Sequence, residues 1–408
     1  MKNSDKFPIL LVAVVLIGSY FLLKEFKLFE FKKTNDGNKN YHAEVIELAG
    51  KNSFSELKEY FQGLAEEKGA RYAFEVLKIA PMPPNTDMHL LGHAVGDMLY
   101  RQEGLGGISA CTEDFRNACS HSIVVGLFSD EGEGVLGKIV EVCRKAPGGS
   151  GAYTMCFHGL GHGILSAIGY DVPKAIELCQ KTGARGESVQ CSSGVVMEII
   201  GGGGHDRDKW ANQRKKYLEI SKPLGLCQSD FVPKNDRYLC FVYLTPFLWE
   251  SIGANMGSPT SDDFKKAFTI CDTLSLNDGG NRDACFGGFG KEFVGLVQSR
   301  DIRKDTLNNI ANEQLVQIYQ WCKLANNKEG IAACITHAMN SLYWGGENDP
   351  KIATGFCGVM AGDNYNGGSC YMNLISSVSQ YVKDVEYREN FCSSLPSIHQ
   401  DHCRQVLL

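Results

Sequence analysis

No Cys-x-x-Cys occurs in this chain, although it carries 16 cysteines. That absence removes zinc ribbons, thioredoxin-like redox motifs and c-type haem attachment together. A Gly-x-Ser-x-Gly nucleophile elbow is also missing. The run GGFGKE at 287–292 is no P-loop, because its glycine spacing is wrong and Lys291 precedes Glu292. Positive charge is not in excess: 41 Lys and Arg stand against 47 Asp and Glu, a net charge of -6, which excludes a whole-chain basic footprint and with it nucleic acid as a partner. Alternating polar and apolar runs are scarce, so strands are not expected. No Asn-x-Ser/Thr acceptor occurs. What remains is globular in composition, with 43% hydrophobic and 22% charged residues over 408 positions. That length suits two or three domains or one long repeat array.

One stretch lacks charge altogether. Phe7 to Leu23 (FPILLVAVVLIGSYFLL) follows Lys2 and Lys6 and sits at the lower edge of the roughly 17–25 residues that span a bilayer. Gly18-Ser19-Tyr20 is a poor signal-peptidase exit, so the stretch reads as an uncleaved signal anchor. Lysines 24, 27, 32 and 33 follow it and leave the charge rule for orientation undecided. The cysteines decide the reading instead. A disulfide framework needs an oxidising compartment, which puts the rest of the chain outside the cytoplasm, periplasmic or at the cell surface.

The cysteines fall in chain order as Cys111 and Cys119, Cys143 and Cys156, Cys179 and Cys191, Cys227 and Cys240, Cys271 and Cys285, Cys322 and Cys334, Cys357 and Cys370, Cys392 and Cys403. Seven pairs are 11 to 14 positions apart. The first is separated by 8 and is expected to need a different turn. The first cysteine of a pair usually ends an amphipathic helical run (KIVEVC143, IYQWC322). The second opens a helix rich in small residues (C156FHGLGHGIL, C191SSGVVMEII). A disulfide there staples consecutive helices across one tight connection. The interval between second cysteines, 33 to 49 residues, is that of helical-hairpin repeats. The expected fold is all-α: a disulfide-stapled helical-hairpin repeat array, an α-solenoid or a closed α/α toroid-like ring, behind an N-terminal transmembrane helix. The expected organisation is a tip, anchor and flank over 1–33, a linker over 34–52 and N-terminal cap helices over 53–84. His-rich repeats over 85–205 and further repeats over 206–408 follow. Trp249, Trp321, Tyr343 and Trp344 are expected to pack repeats together.

Half of the ten histidines lie between 89 and 162. His89 and His93 stand four apart, as do His158 and His162, so each pair shares a helix face. His121 and His158 each follow the second cysteine of their pair by two positions, which places them at equivalent points of successive hairpins. Glu198 lies one position beyond the slot of His162. Several neutral imidazoles with a carboxylate suit a divalent transition metal: Zn, Fe or Cu. The pattern thus points to His89, His93, His158 and His162 as ligands. His121 and Glu198 would be a further ligand or a general base in metal-assisted hydrolysis or redox chemistry. Two other readings stay open: a polar core of hydrogen-bonded histidines, and a metal-free acid–base pocket. A different class stays open too, a non-enzymatic scaffold that binds a protein or peptide along the array. His205, in a Gly-rich loop, is a weaker candidate, and His399 and His402 read as part of a solvated terminal helix.

Overall fold

The computed structural model describes residues 42–408 apart from 49, 52, 84–85, 113, 146–148, 203–206, 256–257, 279, 302–309 and 346–348. The anchor stretch Phe7–Leu23 and the loop holding His205 lie outside the described residues. Among the described residues every regular element is a helix, and none is long and apolar enough to cross a membrane. In chain order they begin with α1 (His42–Leu48), α2 (Phe54–Lys68), α3 (Ala70–Ile79), α4 (Met88–Glu103) and α5 (Asp114–Glu131). Next come α6 (Leu136–Arg144), α7 (Gly149–Ala167), α8 (Val172–Cys179), α9 (Arg185–Gly201), α10 (Arg207–Arg214), α11 (Gly225–Gln228), α12 (Arg237–Tyr243) and α13 (Thr245–Ser251). The series ends with α14 (Ser261–Asp272), α15 (Asn281–Val297), α16 (Asn312–Cys322), α17 (Lys328–Gly345), α18 (Pro350–Gly358), α19 (Asn364–Tyr381), α20 (Val385–Ser394) and α21 (Ser397–Leu407).

Helix α1 occupies the end of the expected linker over 34–52. Leu48 is buried, and the buried Glu44 carboxylate accepts hydrogen bonds from Lys68 Nζ and Tyr72 Oη, both at 2.7 Å. Those two donors hold Glu44 down at about 2. Polar composition upstream marks a linker, but a single buried leucine and one anchored carboxylate are enough to dock the turn that follows. Helix α2 starts on a capping box, in which Ser53 Oγ accepts from the Glu56 amide and Glu56 reaches back to the Ser53 amide.

All eight expected disulfides are formed, each between neighbours in sequence, with Cα–Cα distances of 5.3 to 5.6 Å. Among the described residues no cysteine is free. The helices that carry the second cysteines pack on one another in chain order: α5 on α7, α7 on α9, α15 on α17 and α17 on α19. Between the second and third of these pairs, α12 bridges α9 and α15. Helix α4, which has no staple, packs on α5 at the head of this row. The C-terminal half is filled by an aromatic cluster in which Trp249 meets Phe264, Phe289 and Phe293. Tyr343 is buried as expected, whereas Trp344 is 51% exposed and joins no core.

The contact between α7 and α9 decides where the site lies. Two helical glycines make it possible. A Cβ on Gly161 would run into the Cys191 carbonyl, and one on Gly194 into the His158 carbonyl, so the two backbones touch. The clashing atoms are main chain and cannot swing aside. Gly194→Ala is therefore expected to lower stability by about 3 kcal/mol, the upper part of the range for overpacking a core. Urea unfolding of the variant would measure it. An unchanged midpoint would mean that the helices do not approach this closely.

Candidate metal centre

Three helices deliver five imidazoles to one interior, and a fourth adds a carboxylate. Helix α4 brings His89 and His93, α5 brings His121, α7 brings His158 and His162, and α9 brings Glu198. His121 and His158 are fully buried, His93, His162 and Glu198 nearly so, and His89 is half-buried. Ring centroids of His89, His93, His121 and His162 lie between 4.7 and 6.4 Å from one another. His158 stands at the far side, 4.9 Å from His162 and 6.0 Å from His121. One ring nitrogen from each of His89, His93 and His121 lies within 4.8 Å of the others, a group that can hold a metal ion.

The hydrogen bonds fix the tautomers. His89 Nδ1 lies 2.7 Å from the Phe115 carbonyl, which only accepts, so this nitrogen carries the proton. His93 Nδ1 faces Ser122 Oγ at 3.0 Å, while that hydroxyl gives its own hydrogen to the His93 carbonyl. His158 Nδ1 meets Ser193 Oγ at 2.8 Å in the same manner, with the serine hydrogen given to the Gln190 carbonyl. His162 Nδ1 donates to Glu198 Oε2 at 2.9 Å. In all four residues Nδ1–H is turned outward to an acceptor and Nε2 keeps its lone pair. Those lone pairs face each other, His89 to His93 at 3.3 Å and His158 to His162 at 3.2 Å. Outward Nδ1–H bonds to a carbonyl, hydroxyl or carboxylate are what orient histidines that bind metal through Nε2. His121 is different. Both of its ring nitrogens are buried and neither has a hydrogen-bond partner.

Burial favours the neutral form of three of the imidazoles. It pushes His89 down to about 4, against a raising effect from the Phe115 carbonyl. His121 and His158 are held well below the ordinary histidine value, by burial first and by the neighbouring imidazoles next. A neutral imidazole is the form that ligates.

Local sequence explains the placement. Asp87 caps α4 by accepting from the Leu90 amide, and the spacing of four then aligns His89 over His93. The short Cys111–Cys119 loop closes through three consecutive non-glycine residues in the left-handed region, Phe115, Arg116 and Asn117, with φ of 55°, 54° and 63°. Such residues cost about 1–2 kcal/mol each. The turn aims the Phe115 carbonyl at His89 and starts the regular part of α5 just before His121. Gly159 makes room for the His121 ring, which a Cβ there would strike.

Six residues named by sequence reasoning thus converge: His89, His93, His121, His158, His162 and Glu198. His121 belongs with His89 and His93 in the closest group. Glu198 Oε2 accepts a hydrogen bond from His162 Nδ1. Of the other histidines, His399 lies tilted against Tyr371 with ring centroids 4.7 Å apart, and His337 bonds Tyr238 Oη at 2.8 Å. Sequence reasoning missed Ser122, Ser193, Met197, Tyr243 and the Phe115 carbonyl. One signal was present: Ser193 follows Cys191 by two positions, as His121 and His158 follow their cysteines. The Tyr243 ring lies 5.0 Å from His158, and Lys291 Nζ lies 4.8 Å from the centre of the Tyr243 ring while paired with Glu292. Lys291 follows Cys285 by six positions, as His162 follows Cys156, so the equivalent slot three hairpins later holds a cation in place of an imidazole.

No protein-family model, no curated protein and no solved structure matches this chain.

Proposed function

We propose that this protein is an extracytoplasmic transition-metal protein whose centre is built by His89, His93 and His121. The observation that carries the reading is the tautomer pattern. Four Nδ1–H groups point out to acceptors, and Nε2 lone pairs point in at each other with no hydrogen between them. Two lone pairs facing at about 3.3 Å repel in a low-dielectric interior, and a cation among them reverses the sign of that interaction. His121 supports the same reading, because a buried imidazole without partners costs about 1–3 kcal/mol for each unsatisfied group.

All-nitrogen donor sets of this kind suit Zn, Cu or Fe. A metal held there would supply Lewis acidity to a bound water or substrate oxygen, or one-electron chemistry if it is Cu or Fe. The chain's own part is to hold the donors. Glu198 orients His162, Ser122 orients His93, and the Phe115 carbonyl orients His89. Eight disulfides fit an oxidising compartment outside the cytoplasm. We assign the stretch Phe7–Leu23 the role of tether, which protease added to intact cells tests: complete protection of the domain would place it on the wrong side. The unbroken row of helices carrying the second cysteines supports a repeat array.

Full-length protein prepared without chelator and offered Zn(II) should bind one equivalent at neutral pH. His121→Leu should lower that affinity by ~100-fold or more, since a ligand matters at least as much as the outer partners, whose loss costs about 10–100-fold. The same variant should leave the metal-free protein as stable as wild type or more so, because it removes an unpartnered buried group. Absence of Zn(II), Cu(II) and Fe(II) binding in the wild type would end the metal reading. Destabilisation of the metal-free variant would favour a histidine that serves only the core.

A further inference from the structure

We infer that His158, His162 and Met197 form a second metal position beside the three-histidine group, and that its donors select a soft ion, Cu(I). The inference deepens the metal reading of this interior but stands on other atoms. His158 Nε2 lies 3.2 Å from His162 Nε2 and 3.4 Å from Met197 Sδ. None of the three carries a hydrogen. Nδ1 holds the proton in both histidines, through Ser193 and Glu198, and a thioether has none to give. Three acceptors therefore cluster around His158 Nε2, and two of them belong to side chains that are 1% and 6% exposed. A proton on His158 Nε2 would bridge the two rings. It would require Ser193 to turn its hydroxyl away from the Gln190 carbonyl, which it bonds at 2.7 Å.

Two imidazoles and a thioether differ in kind from three imidazoles. Sulfur of this type is a poor ligand for Zn(II) and a good one for Cu(I). His162 borders both groups, and His158 with Met197 extends the interior on its far side. The His158 ring approaches His121 and His162, whereas His89 and His93 form their own edge-to-face pair on α4. Helix α9 supplies the sulfur and both outer partners: Met197 lies one turn after Ser193, which orients His158, and beside Glu198, which orients His162. Tyr243 closes this side, its ring 5.0 Å from that of His158 and tilted by 31°. The thioether is the donor nearest the surface of the three, being half-buried, and gives an arriving ion its first contact.

The test is an anaerobic titration of the full-length, oxidised protein with Cu(I), using bicinchoninate as the competing chelator and X-ray absorption to read the ligands. The wild type should take two equivalents, with a sulfur scatterer on one of them. Met197→Leu keeps the volume of the side chain and should fold normally. It should lower the affinity for one Cu(I) equivalent by ~10-fold or more and remove the sulfur signal, with Zn(II) binding at His89, His93 and His121 unchanged. A wild type that binds one Cu(I) without sulfur would overturn this inference while leaving the three-histidine centre intact. So would a Met197→Leu variant that retains both equivalents and the sulfur. Failure to bind either Zn(II) or Cu(I) would instead remove the metal reading as a whole.

Discussion

Reducing the eight disulfides with a phosphine should unfold the protein at room temperature without any denaturant. Each bridge closes a loop of 8 to 14 residues, for which chain entropy gives a stabilisation of about 3 kcal/mol. The loops do not overlap in sequence, so their contributions are close to independent, and together they amount to on the order of 20 kcal/mol. Domains are stable by only about 5–15 kcal/mol in total. The staples therefore exceed the net stability, and loss of half of them would suffice. Far-UV circular dichroism and urea titration of oxidised and fully reduced protein, with alkylation to confirm reduction, would measure the effect. A reduced chain that keeps its helical signal and its urea midpoint would show that packing alone holds the hairpins together. The same result would undercut the assignment to an oxidising compartment.

A mild acid shift should weaken the metal-free protein far more than its carboxylates allow. His89 is pushed down to about 4, and His121 and His158 move in the same direction. Each is held neutral by desolvation, so below pH 6.5 the unfolded chain takes up protons that the folded chain refuses. Stability is then fully present above about pH 6.5 and falls as the pH drops toward the folded value. One pH unit is worth about 1.4 kcal/mol per group, which gives about 2 kcal/mol for His89 by pH 5, and His121 and His158 add to it in the same direction. Carboxylates do not confuse the window. Glu44 and Glu187 are held at about 2 by Lys68 and Arg144, and their stabilisation is lost only as pH falls below the ordinary glutamate value. Urea midpoints of chelator-treated protein at pH 7.5 and pH 5.0 would show the slope, and His121→Leu should flatten it by one group's share. A midpoint that does not move between those pH values would mean that the imidazoles are hydrated or already charged, and that they do not form a dry donor set.

Much of this protein is legible in its sequence because the strongest signals there are short in range. A cysteine at the end of one helix and another at the start of the next are neighbours in any compact chain, so the eight local pairings follow from position alone. The spacing of four in His89/His93 and His158/His162 fixes a shared helix face through the pitch of the helix, whatever surrounds it. The shared offset of His121 and His158 from their cysteines likewise follows from the repeat. Tertiary structure alone decides which of these residues meet and in what role. Backbone contact through Gly161 and Gly194 brings α7 against α9, and the left-handed turn at Phe115, Arg116 and Asn117 sets His89 and His121 in reach of each other. The direction of each ring is also a tertiary matter. It depends on acceptors far away in sequence: the Phe115 carbonyl, Ser122, Ser193 and Glu198. Nothing in the pattern of histidines shows that Glu198 is occupied by His162, or that Met197 brings sulfur to His158. Spacing along a helix determines what faces the same way, but only the close approach of a second helix determines what it faces.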